Sequence, residues 1–464
     1  MFVSVLGNPG SGCSTFLRTL GNDHSSFLGV GGSLSYSGLS PQDISKHFRG
    51  LVTYVPEDDI HLPTLTVRQT LEFALQNKTP KRWTHRTAQF VQEFGKAFGM
   101  SHVMDTLVGN EFIRGVSGGE RKRVSILESL ASDASVNSWD GSTRGLDASS
   151  ALDFIRSLRI MTDACQRATV VSLYQASDAI YKLMDKVVLI DQGRMLYSGP
   201  AQQAEAYFNE LGYVRLPRQT MSDFLTSVTT GDPAVIRENH ASSPRGAINL
   251  EQAFRSSQAF KDVEAEIQRY ELDLQKSSEK SAMPQAGHST SLTVPTKQNI
   301  HQHSKDNKSR FVSSESPYHT SLFRQVILCS KREYWQLIGH LNPFIFKMIC
   351  VIVCAFLLSS MFYDMPNDTG GVYSRGGFAF YSAAVIAWFQ MSEMEISFRD
   401  RIVVSRHKRF AMVRPSAVVV GKALLDIPSL LFLSIIYSII SYFIAGMRME
   451  VSCTNCLTLE SPAC

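Results

Sequence analysis

The 464-residue sequence lacks a dominant charge, a cysteine framework and a signal peptide. Its 46 basic and 42 acidic residues leave a net charge of +4, and this balance is too even to indicate nucleic-acid binding. The eight cysteines are scattered, which excludes a disulfide-stapled secreted fold. Cys453 and Cys456 form a CxxC pair, but without a second pair they indicate a metal site only weakly. No signal peptide precedes the apolar segment that starts at Phe2.

Membrane-length apolar runs are also missing, up to about residue 340. Residues 1–235 alternate short apolar runs with helical patterns, which predicts an α/β domain with buried strands. Residues 236–316 predict a helical extension over about 248–275 and then a polar linker without a packed core. His301 and His303 lie in this linker, where solvated side chains are expected rather than a metal site. Residues 317–340 predict an amphipathic connecting helix, which lies along a membrane surface or against another domain.

Residues 341–450 predict an all-α membrane domain that is partial. Three runs, at 344–362, 378–397 and 423–446, are each close to the roughly 20 residues that a hydrocarbon core of about 30 Å requires. The loop between the second and third runs is rich in arginine and should stay in the cytoplasm. The loop between the first and second would then face outward, and it carries the sequon Asn367-Asp368-Thr369. Residues 451–464 form an unmatched tail.

One carboxylate lies inside the third predicted span. Asp426 could mark a substrate or coupling pathway, because carboxylates within the hydrocarbon core are energetically costly. Alternatively, it lies near the cytoplasmic end of the span, close to Lys422, and is solvated there. The second interpretation is favoured.

A glycine-rich loop follows the first predicted strand. Residues 7–14, GNPGSGCS, have the spacing of a P-loop, except that Cys13 stands at the lysine position. Backbone N–H groups of such a loop still cradle phosphate oxygens, but a cysteine supplies no ammonium to neutralise the β- and γ-phosphates. Taken by itself, the loop could also be an ordinary glycine-rich turn.

A second motif favours nucleotide binding. Residues 115–125, GVSGGERKRVS, are an intact ABC signature sequence, a long and specific pattern. Its serine hydroxyl and glycine amides stand at the start of a predicted helix, where they suit a γ-phosphate presented from outside. The domain is therefore predicted to be an α/β P-loop nucleotide-binding domain of the ABC type.

With these motifs and the stretches 139–149 (WDGSTRGLDAS) and 172–177 (SLYQAS), the chain resembles the fungal pleiotropic-drug-resistance group of G-type ABC transporters. The resemblance covers residues 1 to about 450 and corresponds to the N-terminal half of such a transporter. It implies ATP and Mg²⁺ as cofactors and a multi-pass protein of the plasma membrane with a cytoplasmic nucleotide-binding domain. It also implies ATP-driven export of amphipathic compounds such as drugs, sterols or lipids, with a lipid bilayer as surroundings and no nucleic acid as partner.

The resemblance assigns roles to positions of this sequence. Glu57 stands at the Q-loop glutamine, Asp140 at the Walker B aspartate, Gly141 at the general-base glutamate, Tyr174 at the switch histidine, and Asp147 in the D-loop. With Cys13, four hydrolytic positions are altered, and no carboxylate at position 141 can polarise an attacking water. The implied ATP contacts are Gly7, Gly10, Gly12, Cys13, Ser14, Thr15, Ser117, Gly118, Gly119, Glu120 and Asp147, and the implied Mg²⁺ ligands are Ser14 and Asp140.

The four altered positions all lie on the part of the domain that carries the P-loop and Asp140, here called the Walker side. The part that carries residues 115–125 is called the signature side. In the family, each ATP is held between the Walker loop of one domain and the signature of the other, so this intact signature would complete the site of a partner. That partner is a second ABC half with intact Walker motifs, normally in the same polypeptide. Autonomous ATP hydrolysis by this chain is accordingly not expected. Asn137 and Ser138 place polar groups in the predicted Walker B strand, which raises the possibility of a decaying sequence.

Two other interpretations stay open beside the transporter component. The chain could be a non-transporting, truncated remnant that at most binds nucleotide, and it looks clipped at both ends because an earlier strand and further spans are expected. A soluble ABC protein of the translation or repair type is disfavoured by the three membrane-length runs.

Overall fold

The computed structural model describes residues 1–79, 81–174, 176–236, 243–280, 308–309, 312–313, 315–366 and 369–446. The chain divides into two compact units: residues 1–325 with 405–414, and residues 326–404 with 415–464. The CxxC pair, the sequon residue Asn367, the two linker histidines and the predicted tail lie outside the described residues. Residues 405–414 belong to the first unit, although the sequence places them beside the membrane helices. The boundaries predicted from the sequence stay predictions.

The first unit is built on a six-stranded sheet with the order β2-β3-β4-β1-β5-β6. Only the pairing of β5 with β6 is antiparallel. The strands are β1 (Phe2–Leu6), β2 (Val52–Val55), β3 (Val136–Trp139), β4 (Ala168–Ser172), β5 (Lys186–Asp191) and β6 (Arg194–Pro200). All five residues of β1 are buried, as expected of a central parallel strand that is covered on both faces. Because the P-loop follows β1 and Asp140 follows β3, both lie at the carboxyl edge of the sheet, where α/β folds place their ligands.

Helices of the first unit connect and cover these strands. They are α1 (Cys13–Leu20), α2 (Pro41–His47), α3 (Val67–Lys78), α4 (Thr87–Ala97), α5 (Gly118–Ala131), α6 (Ala148–Ala164), α7 (Asp178–Tyr181), α8 (Ala204–Glu210), α9 (Met221–Thr230), α10 (Gly246–Ser256) and α11 (Gln258–Lys280). Three of them, α2, α3 and α5, begin with a capping box, in which a serine or threonine and the residue three positions later satisfy each other's backbone amides. The charged segment predicted over about 248–275 is thus found as two helices, α10 and α11.

The polar residue Asn137 in β3 is accommodated by hydrogen bonds. Its side-chain oxygen accepts from the hydroxyls of Thr53 (2.8 Å) and Ser129 (2.9 Å), and its amide donates to the carbonyl of Ala134 (3.4 Å). A buried amide whose groups are paired in this way is a stable part of a core. Within the described part of the chain, the buried hydroxyl of Ser138 has no hydrogen-bond partner. The structure therefore gives a structural role to Asn137, which the sequence had suggested as a sign of decay.

Four long helices follow α11 among the described residues: α12 (Leu322–Gly339), α13 (Asn342–Met361), α14 (Thr369–Arg409) and α15 (Pro415–Ile444). Among the described residues, α13 and α15 are long and apolar enough to cross a membrane, by length and composition. The second predicted span, 378–397, lies inside α14, but Gln390, Glu393 and Glu395 make that stretch less apolar. This span stays a prediction, whereas the amphipathic helix predicted over 317–340 is present as α12.

The second unit is held together by a small apolar cluster. Val351 and Ala355 of α13 pack on Tyr437 of α15, and Phe389 of α14 packs against them. The charged groups of this unit pair with one another: Glu393 lies 3.5 Å from Lys347 and 3.7 Å from Lys422. Such pairing reduces the cost of placing charges on membrane helices.

Candidate nucleotide site and its surroundings

The P-loop presents an uncapped helix terminus. Gly12 is the N-cap residue of α1 with φ 106°, and no side chain caps the helix there. Gly10 also has a positive φ, 85°, a conformation that glycine adopts without strain. At Gly7 a Cβ atom would lie 2.4 Å from both the Ile190 carbonyl oxygen and Ser11 Oγ, so the loop is too tight for a side chain. The loop therefore leaves backbone N–H groups at the start of α1 free of side-chain caps, and phosphate binding there stays a prediction.

Cys13 makes the P-loop electrically neutral. Its Sγ atom lies 3.3 Å from Ser11 Oγ, inside the loop. Burial raises the pKa of the Cys13 thiol, and this effect exceeds the opposite effect of the Ser11 hydrogen bond. The thiol is therefore protonated at neutral pH and supplies neither a cation nor a strong metal ligand.

The Walker B aspartate is held by three hydroxyl groups. Asp140 Oδ1 accepts hydrogen bonds from Ser14 Oγ (3.0 Å) and Ser172 Oγ (2.8 Å), and Oδ2 accepts one from the Tyr54 hydroxyl (2.8 Å). Ser14 and Asp140, the predicted Mg²⁺ ligands, are thus brought together, and oxygen atoms of this kind are the ligands that Mg²⁺ prefers. Sequence reasoning assigned no role to Tyr54 or Ser172, although Ser172 lies within the stretch 172–177 that resembles the family.

A carboxylate lies beside the residue that should carry the general base. Gly141 has φ 50°, and its amide donates to Ser172 Oγ at 2.7 Å. A Cβ atom at Gly141 would lie 3.0 Å from Cγ and 3.1 Å from Oε2 of Glu57. Glu57 Oε1 in turn accepts a hydrogen bond from Arg144 Nη1 at 2.8 Å. Residue 141 itself has no carboxylate, but Glu57 places one in the neighbouring space, which the sequence does not reveal.

The remaining altered position and the D-loop residue have other surroundings. The side chain of Tyr174 is half-exposed. It is not among the described residues whose hydroxyls donate to Asp140. Asp147 is the N-cap residue of α6 and accepts a hydrogen bond from the Ser150 amide at 3.1 Å. Hydrogen bonds from the Ser150 hydroxyl and, second, from the Ser150 amide lower the pKa of Asp147.

The signature motif forms the start of α5. Ser117 is the N-cap residue: its hydroxyl accepts from the Glu120 amide (3.3 Å) and donates to Glu120 Oε2 (2.8 Å), which also accepts from the Ser117 amide (2.8 Å). Burial acts against ionisation of Glu120, but these hydrogen bonds and His102 hold its pKa below the ordinary value. Gly118 and Gly119 are the first two residues of the helix. The capping box at the start of the signature helix is therefore complete.

Further along α5, Glu128 is the centre of a buried charge cluster in the first unit. Its carboxylate pairs with Arg406, with His407 at 2.9 Å and with His61 at 3.3 Å. Burial acts against the charge, but Arg406 and hydrogen bonds from the two histidines hold the pKa of Glu128 well below its ordinary value. Burial and the charge of Arg406 lower the pKa of His61. Sequence reasoning missed this cluster because its members are up to 346 positions apart, from His61 to His407.

A second set of contacts ties α5 to the loop that carries Glu57. Lys122 Nζ donates to the Glu57 carbonyl oxygen at 2.6 Å and lies 3.2 Å from Asp59 Oδ2. Asp59 Oδ1 accepts from Ser125 Oγ at 2.7 Å, and Ser125 lies 2.8 Å from His61 Nε2. The helix that begins with the signature is thus joined both to the Q-loop and to residues 405–414.

Comparison with known proteins agrees with this architecture. Residues 2–144 match the model of the ABC transporter family, and residues 324–459 match that of the ABC-2 type transporter. Similar curated proteins include the ABC multidrug transporter atrF of Aspergillus fumigatus (45% identity) and that of Aspergillus flavus (44%), each over 97% of this chain. ABC transporter G family member 14 of Dictyostelium discoideum is 38% identical, also over 97% of the chain. The chain spans only 28 to 30% of the length of these relatives.

Proposed function

Because the chain belongs to the ABC transporters, and its relatives include multidrug and G-type members, we propose that it is part of an ATP-driven efflux transporter. The chain supplies one ATP-binding domain and membrane-spanning helices. Amphipathic compounds such as drugs, sterols or lipids are the substrates, and the plasma membrane is the location, with the nucleotide-binding domain in the cytoplasm. Both nucleotide and Mg²⁺ are cofactors.

Within this function, the first unit contributes unequally to two ATP sites. The contrast between the neutral Cys13 and the complete Ser117–Glu120 capping box carries this proposal. Cys13 removes a cation from its own Walker site, and Gly141 removes the base, so that site holds nucleotide without turning it over at an appreciable rate. The signature serves ATP that is held by a second ABC half with intact Walker motifs.

Reconstitution of the full chain in lipid nanodiscs tests the proposal. Alone, the chain should bind Mg·ATP and show negligible turnover. With a complementary ABC half that has a P-loop lysine and a Walker B glutamate, turnover should appear. Ser117→Arg should abolish that turnover, because a large cation would replace the serine at the phosphate-facing helix start. Ser40→Arg is the matched control, because Ser40 heads the same type of capping box on α2.

Two results would count against the proposal. Robust turnover by the chain alone that survives Asp140→Asn would contradict the assignment of its Walker site. Nucleotide binding without any turnover in the presence of the complementary half would instead support the non-transporting remnant.

A further inference from the structure

The Walker side of the first unit lacks the usual cation for ATP phosphates. Residues 7–14 contain no lysine or arginine, and the Cys13 thiol is neutral. The nearby Arg18 of α1 is engaged elsewhere: its Nε donates to the Tyr54 hydroxyl at 3.3 Å, and its guanidinium lies 5.5 Å from the centre of the Tyr54 ring. A triphosphate on this P-loop would therefore receive backbone hydrogen bonds but no side-chain cation from the loop itself.

An arginine is present on the turn after β3. Arg144 follows Asp140 by four residues and pairs with Glu57, whose carboxylate lies over Gly141. By the family resemblance, position 141 is that of the residue that orients the attacking water beside the terminal phosphate. Glu57 and Arg144 thus occupy the side of the site where the end of a triphosphate is recognised.

The ion pair is placed so that it can open at little cost. The side chain of Arg144 is 73% exposed and that of Glu57 is 42% exposed. Exposed ion pairs of this type contribute about 0 to 1 kcal/mol. A guanidinium matches phosphate geometry as well as it matches a carboxylate, and a phosphate oxygen in a partly dehydrated site is the stronger partner.

We propose that Arg144 is a phosphate-binding residue that replaces the charge lost at Cys13. Glu57 holds the guanidinium beside Gly141, and Arg144 exchanges this carboxylate for the terminal phosphate of ATP. The pair therefore makes the degenerate site selective for the triphosphate over the diphosphate. This inference rests on the proposed ATP binding of the first unit, and it assigns a residue to a role for which the P-loop has no candidate.

Nucleotide affinities of the full chain in nanodiscs test the inference. Arg144→Gln should weaken Mg·ATP binding about tenfold or more, the usual loss for a hydrogen bond to a charged group, and leave Mg·ADP within about twofold. The Mg·ATP affinity of Arg144→Lys should lie between those of the wild type and Arg144→Gln. Lysine keeps the positive charge but lacks the planar set of N–H donors of a guanidinium. Glu57→Gln should strengthen Mg·ATP binding, because Arg144 then has no ion pair to break before it binds the phosphate.

Arg156→Gln is the matched control. Arg156 is an exposed arginine on α6 that pairs with Asp153 at 3.7 Å, so its loss changes the net charge equally without touching the turn. Thermal unfolding of each variant checks that the fold is intact. Arg144→Gln with unchanged ATP affinity, or with equal losses for ATP and ADP, would overturn the inference alone. A wild-type chain that binds no ATP would overturn both the inference and the ATP-binding part of the proposed function.

Discussion

The Walker side and the signature side of the first unit meet the solvent in different ways. On the Walker side, a neutral thiol replaces a cation and the Glu57–Arg144 pair is exposed. On the signature side, Ser117 and Glu120 complete a capping box, and the same helix ends in a buried network around Glu128. Both sides belong to one compact unit with one sheet.

A site can lose the groups that would act on ATP while it keeps the hydrogen bonds that support its fold. Asn137, Asp140 and Ser172 each have side-chain hydrogen-bond partners, whereas the buried hydroxyl of Ser138 beside them has none among the described residues. A domain whose packing had degraded would show unpaired polar groups at these positions. Apart from Ser138, the scaffold around Asp140 is therefore hydrogen-bonded, and the proposed loss concerns only the groups that would neutralise and hydrolyse ATP.

The largest expected effect comes from the buried end of the signature helix. Glu128→Ala leaves Arg406 buried without its carboxylate, and breaking a buried ion pair in this way costs about 3 to 5 kcal/mol. The free energy of unfolding of the first unit, followed through the fluorescence of buried Trp139, measures the loss. Glu93→Ala on exposed α4 is the control. A loss below about 1 kcal/mol would show that the two sides of the domain are equally tolerant of charge removal.

Acid should act on the same cluster less strongly, because Glu128 remains to pair with an added charge. The pKa of His61 is lowered in the folded protein, so the neutral imidazole contributes stability above the unfolded pKa of about 6.5. This contribution decreases once the pH falls below that value and is lost as the pH falls through the lowered pKa of folded His61. Thermal unfolding between pH 8 and pH 5.5 should show the decrease, and His61→Asn should flatten it. The lowered pKa of Glu128 affects stability only at more acidic pH, below its ordinary value. If the stability of His61→Asn falls with pH as steeply as that of the wild type, another group causes the decrease.

Restoring the P-loop cation is expected to reduce the contrast between the two sides. Cys13→Lys adds an ammonium where the β- and γ-phosphates bind and should raise Mg·ATP affinity about tenfold. Cys13→Ala should change it little, because the native thiol is uncharged. Equilibrium binding to the full chain measures both. Equal affinities of the lysine and alanine variants would mean that the P-loop does not face the phosphates.

Removing the signature cap should have a smaller effect on stability. Ser117→Ala deletes the hydroxyl that caps α5 and should cost about 1 kcal/mol of unfolding free energy. Thr66→Ala, at the capping box of α3, should cost about the same. A much larger loss at Ser117 alone would show that its side chain stabilises more than the start of α5.

The smallest expected effect belongs to the exposed pair on the Walker side. Glu57→Ala removes the partner of Arg144, and the unfolding free energy should change by less than about 1 kcal/mol. Denaturant unfolding in parallel with Glu128→Ala gives the comparison directly. A loss as large as that of Glu128→Ala would mean that the Glu57 side chain, rather than only its backbone carbonyl, supports the loop.

Motif spacing predicted the elements that are local in sequence. The P-loop after β1, the signature at the start of α5 and the amphipathic helix α12 were all predicted, because each depends on residues within one or two turns. The resemblance named Ser14 and Asp140 as ligands of one Mg²⁺ ion, and the structure places the two side chains in contact.

Long-range polar pairs could not be predicted in this way. Arg144 and Glu57 are 87 positions apart, and Arg406 and Glu128 are 278 positions apart, so no periodicity connects them. The basic run near Arg406 was assigned to a cytoplasmic loop, and its charges gave no sign that two of them pair inside the first unit. Side chains that carry charge on a helix are ordinarily solvated, and only the fold shows which are buried.

The helix α5 has a mechanical consequence. Ser117 at its start and Glu128 near its end are separated by eleven residues, about 16 Å along the axis of an α-helix. Residues 405–414 pair with the far end of this continuous helix through Arg406 and His407, so a displacement of the signature would act on them through the helix.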